Sequence, residues 1–151
     1  MGIEKDIRQA KFRSARQKAT VNILFTYGWL NEQLKNFLAP EDITLQQYNI
    51  LRILRGSAPE PLSTLQIRER MLDKMSDTSR IVDRLITKEL AQKVVSSKDR
   101  RLVDVSITEK GLSLLKRIDV EADRMDDILG NLTEEQAETL SNLLDRLREG
   151  K

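Results

Sequence analysis

The sequence predicts a mainly α protein with one small β-hairpin. Three observations predict it. Apolar residues recur at three- and four-residue steps through most of the chain, residues with capping chemistry stand just before several of those stretches, and only the runs Gln92 to Ser96 and Leu102 to Ile107 are β-prone. The 151 residues are 39% hydrophobic, 33% charged and only 4% aromatic, so one domain with a mostly aliphatic interior is expected.

Ile3, Ile7, Ala10, Ala15, Ala19, Ile23, Tyr27, Leu30, Leu34 and Phe37 form the first stripe. A helix of roughly thirty residues would span about 45 Å, more than a small domain needs for its own core, so part of this face is expected to meet a second subunit. Gly28 within it is read as a bend or a close approach. Pro40 ends the stretch. Thr44-Leu45-Gln46-Gln47 then reads as a capping box opening a helix with Leu45, Tyr48, Leu51 and Leu54 on one face, which stops at Gly56-Ser57-Ala58-Pro59-Glu60-Pro61.

Ser63-Thr64-Leu65-Gln66 repeats the capping pattern and opens a short helix with Ile67 and Met71. After a turn near Asp73 and Lys74, a helix from about Ser76 to Leu90 gathers Ile81, Val82, Leu85, Ile86 and Leu90 on one side and Asp77, Arg80, Asp83, Arg84 and Thr87 on the other. Two short helices joined by a tight turn make a helix-turn-helix. The two β-prone runs follow as a hairpin whose tip, Ser97-Lys98-Asp99-Arg100-Arg101, is polar and basic and is expected to project. Thr108 caps a helix running through Leu112, Leu115, Ile118, Ala122, Met125 and Leu129 to Gly130-Asn131. Leu132-Thr133-Glu134-Glu135-Gln136 caps the last one, striped by Ala137, Leu140, Leu143, Leu144 and Leu147.

Composition narrows the function classes. With no Cys and no His, the chain lacks thiol chemistry, thiolate zinc sites and the commonest general base. No Gly-rich phosphate loop or nucleophile elbow appears, and the adjacent carboxylates Asp126 and Asp127 or Glu134 and Glu135 point in different directions on a helix. An enzyme is not expected, nor a cofactor or a metal. No apolar run is long enough for a membrane span and the start lacks a signal peptide, so the expected location is cytoplasmic. Residues 1–62 carry 9 basic and 6 acidic side chains, residues 63–110 carry 11 and 8, and residues 111–151 carry 6 and 10. A basic middle beside an acidic end fits a phosphate-facing surface held by a separate assembly region, although ordinary scatter of solvated charge explains the count equally well.

Ser79-Arg80-Ile81-Val82-Asp83-Arg84-Leu85, Lys98-Asp99-Arg100-Arg101 and Val105-Ser106-Ile107-Thr108-Glu109-Lys110-Gly111 carry a closer identification. They resemble the MarR family, whose members share a TR-x-VDRL-like recognition helix, a DRR-like wing tip and a V-x-LT-x-x-G join, and the resemblance spans roughly residues 20–149. It implies a winged helix-turn-helix with N- and C-terminal dimerisation helices: arms at 1–38 and 112–149 around a DNA-binding lobe at 44–111, all in the single domain 1–151. It implies a homodimer on double-stranded DNA at a near-palindromic operator, regulating transcription as a repressor. Each recognition helix would lie in a major groove and each wing in the adjacent minor groove.

Carried to matching positions, the resemblance places Ser79, Arg80 and Arg84 on the recognition helix and Asp99 and Arg101 on the wing, where the acidic residue helps to hold the arginine. Lys98 and Arg100 become phosphate contacts. The bland alternative for these arginines is a solvated face with local ion pairs, and for the wing a polar hairpin tip. Family members often bind a small aromatic or lipophilic effector, which makes Tyr27, Trp29 and Tyr48 candidate ligand-binding residues against a default role in core or dimer seam. Two departures matter. Glu89 stands where the family usually has the Gly that closes the recognition helix, so a different path into the wing is expected, and the missing Cys and His argue against a peroxide or zinc effector. The competing class is a winged-helix adaptor that binds only protein, since fold does not dictate function.

Overall fold

The computed structural model describes residues 2–96, 98–99, 101 and 103–150. The chain forms two compact units, Met1–Leu45 and Gln46–Lys151.

The first unit does not carry one continuous helix. Helix α1 (Ile3–Asp6) ends where Arg8 turns left-handed at φ 56°, and α2 (Ala15–Leu38) begins only after Ser14, whose hydroxyl accepts the Gln17 amide at 3.1 Å. The stripe runs through this hook, but Ser14 offers the backbone a start of its own, which periodicity alone does not reveal. At 24 residues α2 rises about 36 Å. It passes through Gly28 unbroken, and a Cβ there would meet nothing within 4 Å, so the glycine marks no close approach within the chain. Leu38 is buried, whereas Ile23, Phe25, Tyr27 and Trp29 on α2 are exposed. A 3-10 turn (Ala39–Glu41) containing Pro40 ends the unit's helical run.

The second unit is the predicted winged helix-turn-helix with its C-terminal helices. Helix α3 (Leu45–Ser57) buries Tyr48, Leu51 and Leu54 as its stripe predicts, and Gln47 and Ile50 besides. Strand β1 (Leu62–Ser63) precedes α4 (Thr64–Arg70), where both halves of the Ser63 and Gln66 capping box form, at 3.1 and 2.9 Å. Then come α5 (Thr78–Thr87), β2 (Ala91–Val95) and β3 (Val103–Ile107). β2 and β3 pair antiparallel with Ala91 opposite Ile107 and Val95 opposite Val103, so the wing loop is 96–102.

Strand β1 pairs with β3 on its other edge, Leu62 opposite Val105, giving the order β1-β3-β2. A two-residue strand shows no alternation; it is extended here because β3 supplies its partners. Helix α6 (Glu109–Val120) is capped by Thr108 as expected, but the single helix read through to Leu129 breaks at Glu121 (φ −98°, ψ 17°) into α7 (Ala122–Asp126) and a 3-10 turn (Asp127–Leu129). No Pro or Gly marks that break. Helix α8 (Glu134–Arg148) has its Thr133 and Gln136 capping box, yet none of its residues is buried.

The core of this unit joins Ile50, Leu51 and Leu54 to Ile67, Leu85 and Leu115, all fully buried, with Leu62, Val105 and Ile118 at its margin. Each such side chain contributes roughly 1.5–3 kcal/mol by leaving water. Among the described residues no helix is long and apolar enough to cross a membrane.

The exit from α5 is a tight crossing of backbones. Glu89 donates its amide to the Ile86 carbonyl and Leu90 to the Leu85 carbonyl, both at 2.9 Å, while Glu89 itself sits at φ 62°. Glu89 therefore adopts the left-handed conformation that glycine favours. Thr108 crosses this turn: its amide donates to the Leu90 carbonyl at 3.1 Å, and its hydroxyl donates to the Glu89 carbonyl at 2.7 Å while accepting the Gly111 amide at 3.1 Å. Gly111 is required here because a Cβ would collide with the Leu90 carbonyl oxygen and with Ile107.

Two substitutions check this junction by thermal melting. Glu89→Gly relieves the left-handed strain and is expected to stabilise by roughly 0.5–1 kcal/mol, since its ion pair with Lys110 at 3.8 Å is exposed and weak. Gly111→Ala is expected to destabilise by about 1–3 kcal/mol through overpacking against backbone. A lower Tm for Glu89→Gly, or an unchanged one for Gly111→Ala, would contradict this geometry.

Candidate nucleic-acid interface

The turn between α4 and α5 is fixed from three sides. The Leu72 amide donates to the Asn49 side-chain oxygen of α3 at 2.9 Å, the Met75 amide to Asp73 Oδ1 at 2.9 Å, and the Ser76 amide to the Asp73 carbonyl at 3.2 Å. Asp77 then caps α5 by accepting the Arg80 amide at 3.2 Å. A carboxylate at this end also complements the helix dipole. The sequence reading placed Asp77 on the exposed face of a longer helix; its work is at the terminus, with its other oxygen 3.7 Å from Arg80 Nε.

Thr78, Val82 and Leu85 bury one face of α5 and leave Ser79, Arg80, Asp83, Arg84 and Thr87 exposed on the other. Period and burial agree, so the predicted contact residues of the helix share a single outward face. Arg84 makes no ion pair among the described residues, whereas Asp83 lies 4.0 Å from Lys93 Nζ of β2. An open cleft of about 330 Å³ separates α4 from the start of α5, lined by Thr64, Leu65, Arg68, Asp77 and Ser79 among others. Arg68 was not singled out from sequence. It lies on a short helix whose exposed face carries no periodic signal of its own.

At the wing, the Ser96 hydroxyl accepts the amides of Lys98 and Asp99, each at 3.3 Å, and Asp99 Oδ1 accepts the Arg101 amide at 3.0 Å. Asp99 then holds the Arg101 guanidinium with both oxygens, at 3.2 Å to Nε and 3.1 Å to Nη2. The Arg101 side chain is 90% exposed, so this clamp orients the arginine without covering it. Lys98 is exposed beside it. Arg100, the remaining predicted wing contact, lies outside the described residues. Ser96, which shapes the tip, was read from sequence as the end of a strand.

The Arg101 side-chain hydrogen bonds, then its amide, hold the Asp99 carboxyl below the usual carboxylate range. The ionised form is the stabilised one. The clamp is therefore complete at neutral pH and is lost only as pH falls through that lowered value.

The predicted ligand-binding residues are divided. Tyr27 and Trp29 are exposed on α2, while Tyr48 is buried on α3 with the Arg52 guanidinium 5.7 Å from its ring centre. Among the described residues no group of carboxylates is arranged to hold a metal ion.

No protein-family model matches the chain. It is 29% identical over 122 residues to the transcriptional regulator MhqR of Bacillus subtilis, spanning 80% of this chain and 83% of that one. A MarR transcription factor of Planctomyces limnophilus is 30% identical, with a TM-score of 0.67 over 89% of this chain and 98% of the other. A mutant of Escherichia coli MarR in complex with operator DNA shares the fold at a TM-score of 0.76 and 23% identity, over 83% of this chain and 90% of its own.

The wing clamp makes a titration prediction. Carboxyl NMR of Asp99 should give a pKa below the ordinary aspartate value, and Arg101→Ala should return it upward. Identical titration in the two proteins would dissolve the clamp.

Proposed function

Because the chain belongs to the MarR family of transcription regulators, which are not enzymes, we propose that it acts as a dimeric repressor that grips a near-palindromic operator with α5 in the major groove and the 96–102 wing loop in the adjacent minor groove. The observation that carries this reading is the pairing of one exposed polar face on α5, with Arg80 and Arg84, and one exposed arginine held out by Asp99 on the wing.

Physical chemistry assigns the two contacts different work. A helix fits the major groove, where arginine reads guanine edges in a bidentate fashion, while a narrow minor groove attracts inserted arginine by its potential. Ser79 and Lys98 supply phosphate or edge contacts beside them. Dimerisation is supported by the apolar faces that the single chain leaves open, on α2 and at Leu140, Leu143 and Leu147 of α8. Release by a small aromatic or lipophilic molecule is the finer part of the proposal, and the exposed rings of Tyr27 and Trp29 support it. Tyr48, being buried, would act there only after a rearrangement.

A second reading has its own observation. Leu72 and Met75, in the turn between α4 and α5, are 82% and 93% exposed, and Leu65 is exposed on α4. Such a patch suits a protein partner, as an adaptor would need.

The test compares Arg101→Ala with Arg84→Ala on operator and scrambled duplexes at several salt concentrations, with folding checked by circular dichroism. Arg101→Ala should weaken binding and reduce the preference for A/T-rich flanks while half-site preference survives. Arg84→Ala should relax one base position by roughly 1–3 kcal/mol if it reads an edge, or lower all affinities alike if it clamps phosphate. Unchanged binding by both folded variants would transfer the case to the adaptor.

A further inference from the structure

We infer that Gln47 and Asn49, two residues apart on α3, are positioning residues that hold α5 by its two ends and so aim its outward face at duplex DNA. The inference rests on the DNA reading above and names the device that sets the angle of the helix.

The burial that fixes α5 does not choose its pitch. Thr78, Val82 and Leu85 press one face of a ten-residue helix, about 15 Å long, against the core. Apolar burial is non-directional, so it resists withdrawal of the helix more than a small slide or tilt. The turn that leads into α5 adds little anchorage of this kind, because its Leu72 and Met75 side chains are exposed. Hydrogen bonds are directional, and α3 supplies one at each end.

At the entrance, Asn49 Oδ1 accepts the Leu72 amide at 2.9 Å, across 23 residues of chain. The Asp73 bonds to the Met75 and Ser76 amides shape the same turn, but they are local and do not set where it stands. At the exit, Nζ of Lys88, the C-terminal cap of α5, donates to Gln47 Oε1 at 3.4 Å, across 41 residues. Gln47 is 5% exposed, so its amide needs protein partners, and Lys88 is one of them. The Lys88 carbonyl accepts from Lys110 Nζ at 3.0 Å, which ties the same end to α6.

Residues two apart do not share a helix face, so the two amides leave α3 in different directions and reach different ends of α5. Recognition by side chains on a rigid element requires placement to within about 0.5 Å. A helix released at either end would carry Ser79, Arg80 and Arg84 off that placement together, while the wing, with its own junction at Thr108, stays where it is.

The test compares Asn49→Leu, which removes the acceptor at the entrance, with Asn49→Asp, which keeps one, and with Lys88→Met, which removes the donor at the exit. The probe is a near-palindromic duplex selected by the wild-type chain from random sequence, set against a scrambled duplex of equal length, with folding checked by circular dichroism. Asn49→Leu and Lys88→Met should each lower the ratio of the two affinities about tenfold, as losing one well-placed base contact would, with the salt slope unchanged. Asn49→Asp should retain the ratio, because a uniform repulsion of DNA by the added charge cancels in it. Amide exchange of the free protein should show Leu72 protected in the wild type and in Asn49→Asp, and open in Asn49→Leu.

An intact ratio in Asn49→Leu with an open Leu72 amide would overturn the inference, and so would a Leu72 amide that exchanges as fast in the wild type as in that variant. Equal losses in the Asp and Leu variants would overturn it too, since the acceptor would then not matter. A Lys88→Met variant whose salt slope falls by about one while its ratio holds would make Lys88 a phosphate contact and remove the hold at the exit. A wild type that selects no duplex would instead sink the DNA reading, which the amide exchange does not touch. Should Asn49→Leu not fold, Asn49→Ala carries the same comparison, with the same results decisive.

Discussion

The approach of the Thr108 to Gly111 backbone to the Glu89 and Leu90 carbonyls is the constraint on which the winged helix-turn-helix depends. At that crossing α5 ends, the first wing strand begins, and the helix that follows the wing starts. Thr108 binds both carbonyls and caps α6, Gly111 leaves the space that makes this possible, and the Lys110 ammonium reaches the Lys88 carbonyl at 3.0 Å. Carbonyls at a helix C-terminus need donors, and here they receive them from the segment that returns from the wing.

The consequence is a fixed relation between two surfaces made by different parts of the sequence. Register carries it outward: Ala91 opposite Ile107 sets every pair as far as Val95 opposite Val103, and hence where loop 96–102 leaves the sheet. The loop has its own local framework in Ser96 and Asp99, which position Arg101 through hydrogen bonds spanning a few residues. A long-range backbone junction places the wing, and short-range side-chain bonds shape its tip. Neither suffices alone, because the bonds within the tip do not set where the hairpin stands relative to α5.

Much of this was legible in sequence where the signal was local. The capping boxes at Ser63 and Thr133, the Thr108 cap, the buried stripe of α3 and the two wing strands follow from spacing, and the structure realises each. What escaped depended on partners distant in the chain or on one backbone angle. Strand β1 exists through β3, the hook through Ser14 and a left-handed Arg8, and the break at Glu121 has no compositional mark. Glu89 is the instructive case. Its identity suggested an altered path, but the bonds closing α5 and the Thr108 crossing determine the conformation and hold a glutamate in it. At the candidate site, Arg80, Arg84, Asp99 and Arg101 were readable as a pattern, while the bonds of Ser96 at the wing tip and the place of Arg68 in the α4–α5 cleft follow from geometry that no pattern displays.

Helix α5 carries local costs at both ends. At its start, the hydroxyls of Ser76 and Thr78 are buried with no partner among the described residues, and at its finish Glu89 is left-handed. Each feature costs on the order of 1 kcal/mol, against a total stability of about 5–15 kcal/mol for a typical domain. Ten residues are also too few for a helix to persist in water without packing. Helix α5 is therefore held by its setting: Val82 and Leu85 in the core, the Asp77 cap, and the Thr108 junction. Because these supports lie behind the helix or at its ends, its outward face is left to polar side chains whose identity the fold does not dictate. Substitution on that face has little effect on stability, whereas substitution at Gly111 or Thr108, on the opposite side of the junction, acts on the placement of helix and wing together.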